Sequence, residues 1–171
     1  MTDFIQCSEC GETHRIENIE LTFKRPEAIA ALSEDQRVPE RCKESNDLSA
    51  LWGACDDEHR YFVRGVMSFS VRGQNRDYSL GVWAEVNKQS FDRVLELWED
   101  ENQTNEPPLI GSLANAIPLH EDTLGLPVEV RLTGPTTRPE FFLNKSQHML
   151  YLEQVHGISV HQAAQYTALV V

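Results

Sequence analysis

The sequence predicts an α+β fold, with one mostly antiparallel sheet and helices packed on one face, and four stretches carry that expectation. RYFVRGVMSFSVR and YSLGVWAEV alternate apolar and polar side chains with the period of two that a half-buried strand requires. SFDRVLELW repeats apolar residues at the spacing of a helix laid on a core. The last stretch, residues 147–170, reads as a helical hairpin interrupted by Gly157. No internal repeat or linker divides the 171 residues, so a single domain spanning 1–171 is expected.

Taken in order, residues 1–20 form a small Cys-bearing cap, and Pro26 opens a short helix through Ala28, Ile29, Ala31 and Leu32. Ser33 to Lys43 is polar and reads as a loop or frayed helix. The sheet is expected over 48–144. It begins in LSALWGAC, where Cys55 is placed to face the core, and turns at Asp56 and Asp57. In the first long strand Tyr61, Val63, Met67, Phe69 and Val71 share a face, with Arg64, Ser68, Ser70 and Arg72 opposite. Gly73 to Asp77 turns the chain into the second strand, where Tyr78, Leu80, Val82, Ala84 and Val86 share a face.

Asn87 is an N-cap for a helix over 88–99 carrying Phe91, Val94, Leu95 and Trp98, and the acidic run after it ends at Pro107 and Pro108. VEVRLT and PEFFLN flank GPTTR as a second hairpin. Ser146 is expected to cap the first C-terminal helix, and Ser159 with Gln162 makes a capping box for the second, with Ile158 and Ala163 as its staple.

Composition narrows the function classes. Hydrophobic residues make up 40% and charged residues 25%, enough for a core that needs no staple at this length. No run approaches the ~18 apolar residues of a membrane span, and MTDFIQC lacks the basic and apolar regions of a secretory signal. The expected location is therefore the cytoplasm, where the four cysteines stay reduced. The net charge of −12 opposes binding to phosphate backbones, so neither nucleic acid nor membrane is an expected partner. LEQVHGISVHQAAQYTALVV has the outline of a helix-turn-helix reader, but no Lys or Arg follows Lys145. A packed helical hairpin accounts for it better.

CSECGETH is the stretch richest in chemistry. Two cysteines two residues apart can turn both sulfurs onto one Zn²⁺, with a Gly such as Gly11 closing the turn and His14 near enough to join. Cys7, Cys10 and His14 are thus candidate ligands of a structural zinc, Cys42 and Cys55 being further candidates. Reduced cysteines with no ligand role are the competing reading. A thioredoxin-like redox pair fits poorly, because no helix with a strong apolar period follows the motif. His120, Glu121 and Asp122 are adjacent and point apart on an extended segment, which favours a turn or cap at Asp122 and Thr123 over a catalytic group. His156 and His161 flank the turn of the C-terminal hairpin and are expected to be exposed. The chain has no Gly-rich phosphate loop, no Gly-x-Ser-x-Gly elbow and no His-Glu-x-x-His motif.

CSECGETH, RYFVRG, the Gly-Val-Trp of LGVWAEV, SFDRVLELW, EPPLIGSLANAIP, DTLGLPVEV, the Arg-Pro of TTRPEF and HMLYLEQVHGIS, in that order, resemble the bacterial domain-of-unknown-function family 2199. The resemblance runs from about Cys7 to the end of the chain. It implies a bacterial protein and brings no activity with it. It also implies an Asp-x-Cys where this chain reads Asp47-Leu48-Ser49, so that Ser49 stands in place of a thiol. Arg64, Trp83, Asp122, Arg138, His148, Gln154 and Gly157 match positions that recur in the family, which makes Arg64, Trp83, Asp122, Arg138 and His148 candidates for a pocket.

Two functions are expected from these observations. One is a non-catalytic protein-interaction module, of inhibitor or immunity type, whose acidic surface receives a basic partner. The other is an enzyme or small-molecule binder with a cleft formed by Arg64, Asp122, Arg138 and His148.

Overall fold

The computed structural model describes residues 3–16, 20–52 and 59–170, and Cys55 and the turn expected at Asp56 and Asp57 lie outside them. The fold is α+β. Its centre is the hairpin of β5 (His59–Ser70) and β6 (Asp77–Val86), paired antiparallel from Tyr61↔Val86 to Ser70↔Asp77. The expected inward faces are the ones buried: Val63, Met67 and Phe69 on β5, and Tyr78, Leu80, Val82, Ala84 and Val86 on β6. The opposite face is less polar than the alternation suggests. Phe62 and Trp83 are fully buried there, in a second cluster with Ile29, Cys42, Leu51 and Ala114. The hairpin is therefore covered on both sides at this end.

Seven strands follow one another in the sheet: β3 (Cys42–Glu44), β4 (Leu48–Trp52), β5, β6, β7 (Leu109–Leu113), β8 (Pro127–Arg131) and β9 (Glu140–Leu143). All of these neighbours pair antiparallel. The sheet then curls until β9 meets β5 through a parallel bridge at Val66↔Glu140, where the Val66 N–H donates to Pro139 O at 2.8 Å. Strands β5 to β9 thus form a closed ring of pairings. Gly65 makes the closure possible, because a Cβ there would lie 2.4 Å from the Phe141 ring and 2.7 Å from Pro139 O.

The sheet starts earlier than 48, since Cys42–Glu44 is a strand and not loop or frayed helix. It also contains LIGSL as β7, although the run between Pro108 and Pro118 gives no alternating signal. Ahead of it, α1 (Glu27–Ala30) forms where expected and buries Ile29. Leu21 to Phe23 lie along the free half of β6, with Thr22 opposite Gly81. Asn115, buried in the following loop, accepts from the Trp83 N–H at 2.8 Å and donates to Arg25 O at 2.8 Å, tying this segment to β6.

Helix α2 (Lys88–Glu96) begins at Asn87, whose side chain accepts from the Ser90 N–H as expected, and ends three residues before 99. Buried Gln103 then takes over its C-terminal end, donating to Leu97 O at 2.9 Å and accepting from the Gly134 N–H at 3.2 Å. In the C-terminal hairpin α3 (Met149–His156) is capped by His148 and not by Ser146. The Leu150 N–H donates to His148 Nδ1, while Ser146 Oγ accepts from the His148 N–H one step upstream. Gly157 then turns the chain at φ +87° against Ser70, where Ile158 pairs with Val71. Ser159 caps α4 (Val160–Ala168), but Gln162 does not return the bond; its amide donates to Glu153 Oε1 on α3. Among the described residues no helix is long and apolar enough to cross a membrane.

Replacing Gly65 with Ala is expected to destabilise the fold by about 1–3 kcal/mol, because Pro139 backbone and the Phe141 ring must both move. Urea unfolding measures this, and an unchanged midpoint would contradict the ring closure.

Candidate metal centre and an arginine-lined cavity

The N-terminal cap is a hairpin of β1 (Asp3–Gln6) and β2 (Thr13–Ile16) joined by the CSECGE turn. The turn is closed by its own backbone, with Cys7 N–H to Glu12 O at 2.7 Å and Gly11 N–H to Cys7 O at 2.9 Å. Gly11, at φ +76°, takes the left-handed conformation that brings the chain round. The two sulfurs are thereby held on one side of the knuckle. His14, second along β2, contributes its Nε2 at 3.1 Å from Cys10 Sγ.

The fourth member comes from the far end of the chain. His161, in the first turn of α4, places Nδ1 3.7 Å from Cys7 Sγ and packs its ring edge-on to that of His14, centroids 5.0 Å apart. The four donor atoms all lie within 4.8 Å of one another. A tetrahedron with zinc–sulfur bonds of about 2.3 Å and zinc–nitrogen bonds of about 2.0–2.1 Å has edges of roughly 3.3–3.8 Å, so the arrangement is close to the size a Zn²⁺ needs. Two thiols and two imidazoles are also the donor set that Zn²⁺ favours. Cys7 is buried, Cys10 exposed, and both histidines lie between.

Electrostatics prepares the two thiols differently. Burial pushes the Cys7 thiol up, but the backbone N–H groups of Cys10 and Glu9, with His161 and Cys10 behind them, more than reverse this and bring it down to about 6. For Cys10 the Glu12 N–H favours the thiolate, while desolvation, the Cys7 sulfur and the Glu12 carboxylate act the other way and raise it. The metal-free knuckle thus carries one ready thiolate.

Cys42 does not join this centre. It is buried in the second apolar cluster, which pushes its thiol up. Ser49 is buried in β4, opposite Glu44 and Phe62, and is likewise outside the centre. His161 was expected to be exposed beside a turn. Nothing local to HGISVHQ marks it as a ligand, because its partners lie 147 or more residues away in the chain and meet it only after α4 packs on β2.

The five residues expected to share a pocket fall into separate places. Arg64 and Arg138 line a cavity of about 380 Å³ between the start of β4, the C-terminal half of α2 and the β8–β9 connection. Asp47 joins them there, its Oδ1 accepting from Arg138 Nε at 2.8 Å. Trp83 is wholly buried and does not line the cavity. Its indole N–H donates to Phe23 O at 3.0 Å, and the Arg64 guanidinium sits over its ring at 5.7 Å. Asp122, at φ +53°, lies in the turn expected at Asp122 and Thr123, with Thr123 Oγ1 accepting from the Ile117 N–H. His148, besides capping α3, contacts Glu121 O at 3.0 Å through Nε2. The cleft of Arg64, Asp122, Arg138 and His148 therefore does not form as a single cavity. Gln154 and Gly157 also serve the fold: Gln154 accepts from the Leu143 N–H and donates to Phe141 O along β9.

One further polar cluster was invisible in the sequence. His120, whose side chain is 6% exposed, places Nε2 2.9 Å from Glu153 Oε2, and the other oxygen of that carboxylate accepts from Gln162. It ties the loop before β8 to both C-terminal helices.

Comparison with curated proteins and with solved structures finds no match for the chain. A family model described as "Uncharacterized protein conserved in bacteria (DUF2199)" matches residues 6–158, from the residue before the first knuckle cysteine to the start of the C-terminal turn. The chain is therefore a member of the bacterial DUF2199 family.

Proposed function

We propose that Cys7, Cys10, His14 and His161 hold a structural Zn²⁺, and that the protein closed in this way is a non-catalytic interaction module whose acidic surface receives a basic partner, as inhibitor and immunity-type proteins do. The observation that carries the reading is the approach of four soft or borderline donors from both ends of the chain to within 4.8 Å. Bound there, the ion would supply a cross-link. Four protein ligands fill a tetrahedral shell and leave no position for water or substrate, the mark of a structural and not a catalytic site.

The chain's own residues explain why a cross-link is useful. Among the described residues the β1–β2 hairpin pairs only with itself, and of its described side chains it puts Ile5 against the main core while Phe4 stays exposed. It rests chiefly on α4. Ordering so small an appendage costs conformational entropy that little apolar burial offsets. Tethering Cys7 and Cys10 to His161 would fix it.

The interaction half rests on charge. Asp and Glu number 27 against 15 Lys and Arg. A field of that sign attracts basic surfaces and speeds their encounter.

Protein purified without chelator is expected to contain near-stoichiometric zinc, and the Cys7→Ser, Cys10→Ser double variant none. His161→Ala should weaken zinc binding by more than about tenfold, the scale on which even outer-shell partners act. Unchanged affinity in that variant would remove α4 from the centre. In chelated protein the ultraviolet thiolate signal should include a step near pH 6 that Cys7→Ser abolishes. Because the folded pKa lies below the unfolded one, this thiolate's contribution to metal-free stability is present above the unfolded value and is lost as pH falls through about 6. For the interaction half, affinity capture should retain a basic protein at low salt and release it toward ~0.15 M, where screening reaches within about 8 Å. No protein retained at low salt would contradict it.

A further inference from the structure

The cavity holding Arg64 and Arg138 is built around a cationic pair that the protein only half neutralises. Asp47 is its one carboxylate, so the lining carries two positive charges against one negative in a chain whose net charge is −12. Asp47 takes the Nε edge of Arg138, and no described residue engages the Nη donors. Arg64 donates through Nη1 to Asn46 O at 3.1 Å, while its buried Nε has no partner. Burial first, then the neighbouring charge of Arg138, pushes the Arg64 pKa down against the pull of Asp47. Arg64 is partly buried and Arg138 opens to solvent, and under-paired guanidinium groups at the mouth and wall of a cavity favour an anion beside them.

Facing the arginines is an apolar wall, with Gln103, Thr136 and Thr137 also in the lining. Leu48, Val63, Val94, Trp98 and Leu132 form that wall. Gln103 locks the end of α2 to Gly134, and Thr133 Oγ1 accepts from the Thr137 hydroxyl at 2.6 Å and donates to Arg138 O at 2.9 Å, fixing the connection that carries the arginine. A volume of about 380 Å³ lies in the range of small-molecule sites, roughly 300–1,000 Å³.

We infer that this cavity binds a small organic monocarboxylate with an apolar body, its carboxylate against Arg138 and Arg64 and its body against Trp98 and the aliphatic wall. One surplus positive charge matches a monoanion. A phosphate dianion would meet Asp47 and leave the apolar walls unused. The inference does not depend on the metal, which lies in the knuckle and α4, none of whose residues line the cavity.

Calorimetry with phenylacetate, its neutral amide phenylacetamide and inorganic phosphate tests it on the protein as isolated. Phenylacetate should bind saturably, and the amide at least about tenfold more weakly, the loss expected when a charge-assisted pair becomes a neutral one. Arg138→Gln should weaken phenylacetate by a similar factor while its melting temperature confirms the fold, and Trp98→Ala should weaken the amide as well as the acid. No saturable binding of phenylacetate would overturn the inference. So would equal binding of the amide, phosphate binding as tightly as phenylacetate, or unchanged binding in Arg138→Gln.

Discussion

A side chain at position 65 would occupy the space of the Phe141 ring, and most of the architecture follows from its being absent. With glycine there, β9 can lie against β5, with Pro139 O just ahead of it accepting the Val66 N–H, so β5 to β9 close into a ring and β9 is not left as an open edge. Closure gathers Val63, Val128, Val130 and Phe141 into one core with the β6 face. It also brings the β8–β9 connection, and Arg138 with it, to the Asp47 turn and Arg64. The arginine-lined cavity is thus a product of how the ring shuts.

The N-terminal and C-terminal hairpins both lie outside the ring, and they meet each other. The C-terminal hairpin is anchored by apolar burial of Leu150, Ile158, Ala163 and Tyr166 and by the Val71↔Ile158 bridge. Among the described residues the N-terminal hairpin has no comparable anchor. It is held to α4 by the sulfur–imidazole cluster, with the Tyr78–Tyr166 stack fixing α4 beneath it. A metal in that cluster would act where the apolar core is thinnest.

What was legible in the sequence had local causes. The alternation in β5 and β6, the Asn87 and Ser159 caps and the Gly157 turn each depend on residues a few positions apart, and each formed as expected. Cys-x-x-Cys-Gly with His14 was legible for the same reason, since one turn suffices to gather it. What was missed depends on partners distant in the chain. Strand β7 is recognisable only by its pairing with β6 and β8, and ring closure only by the fit of Phe141 against Gly65. His148 displaced Ser146 as the helix cap because its imidazole reaches both the Leu150 N–H and Glu121 O. Gln162 left the capping box for Glu153 on a neighbouring helix. His161 and the His120–Glu153 pair required the C-terminal hairpin to be docked before they had neighbours at all.

The central claim is that both ends of the chain share one metal. X-ray absorption at the zinc edge of untreated protein tests it most directly. The expected shell is two sulfurs at about 2.3 Å and two imidazole nitrogens at about 2.0–2.1 Å. A shell of three or four sulfurs, which would draw in Cys42 or Cys55, or one of oxygen and nitrogen alone, would contradict it.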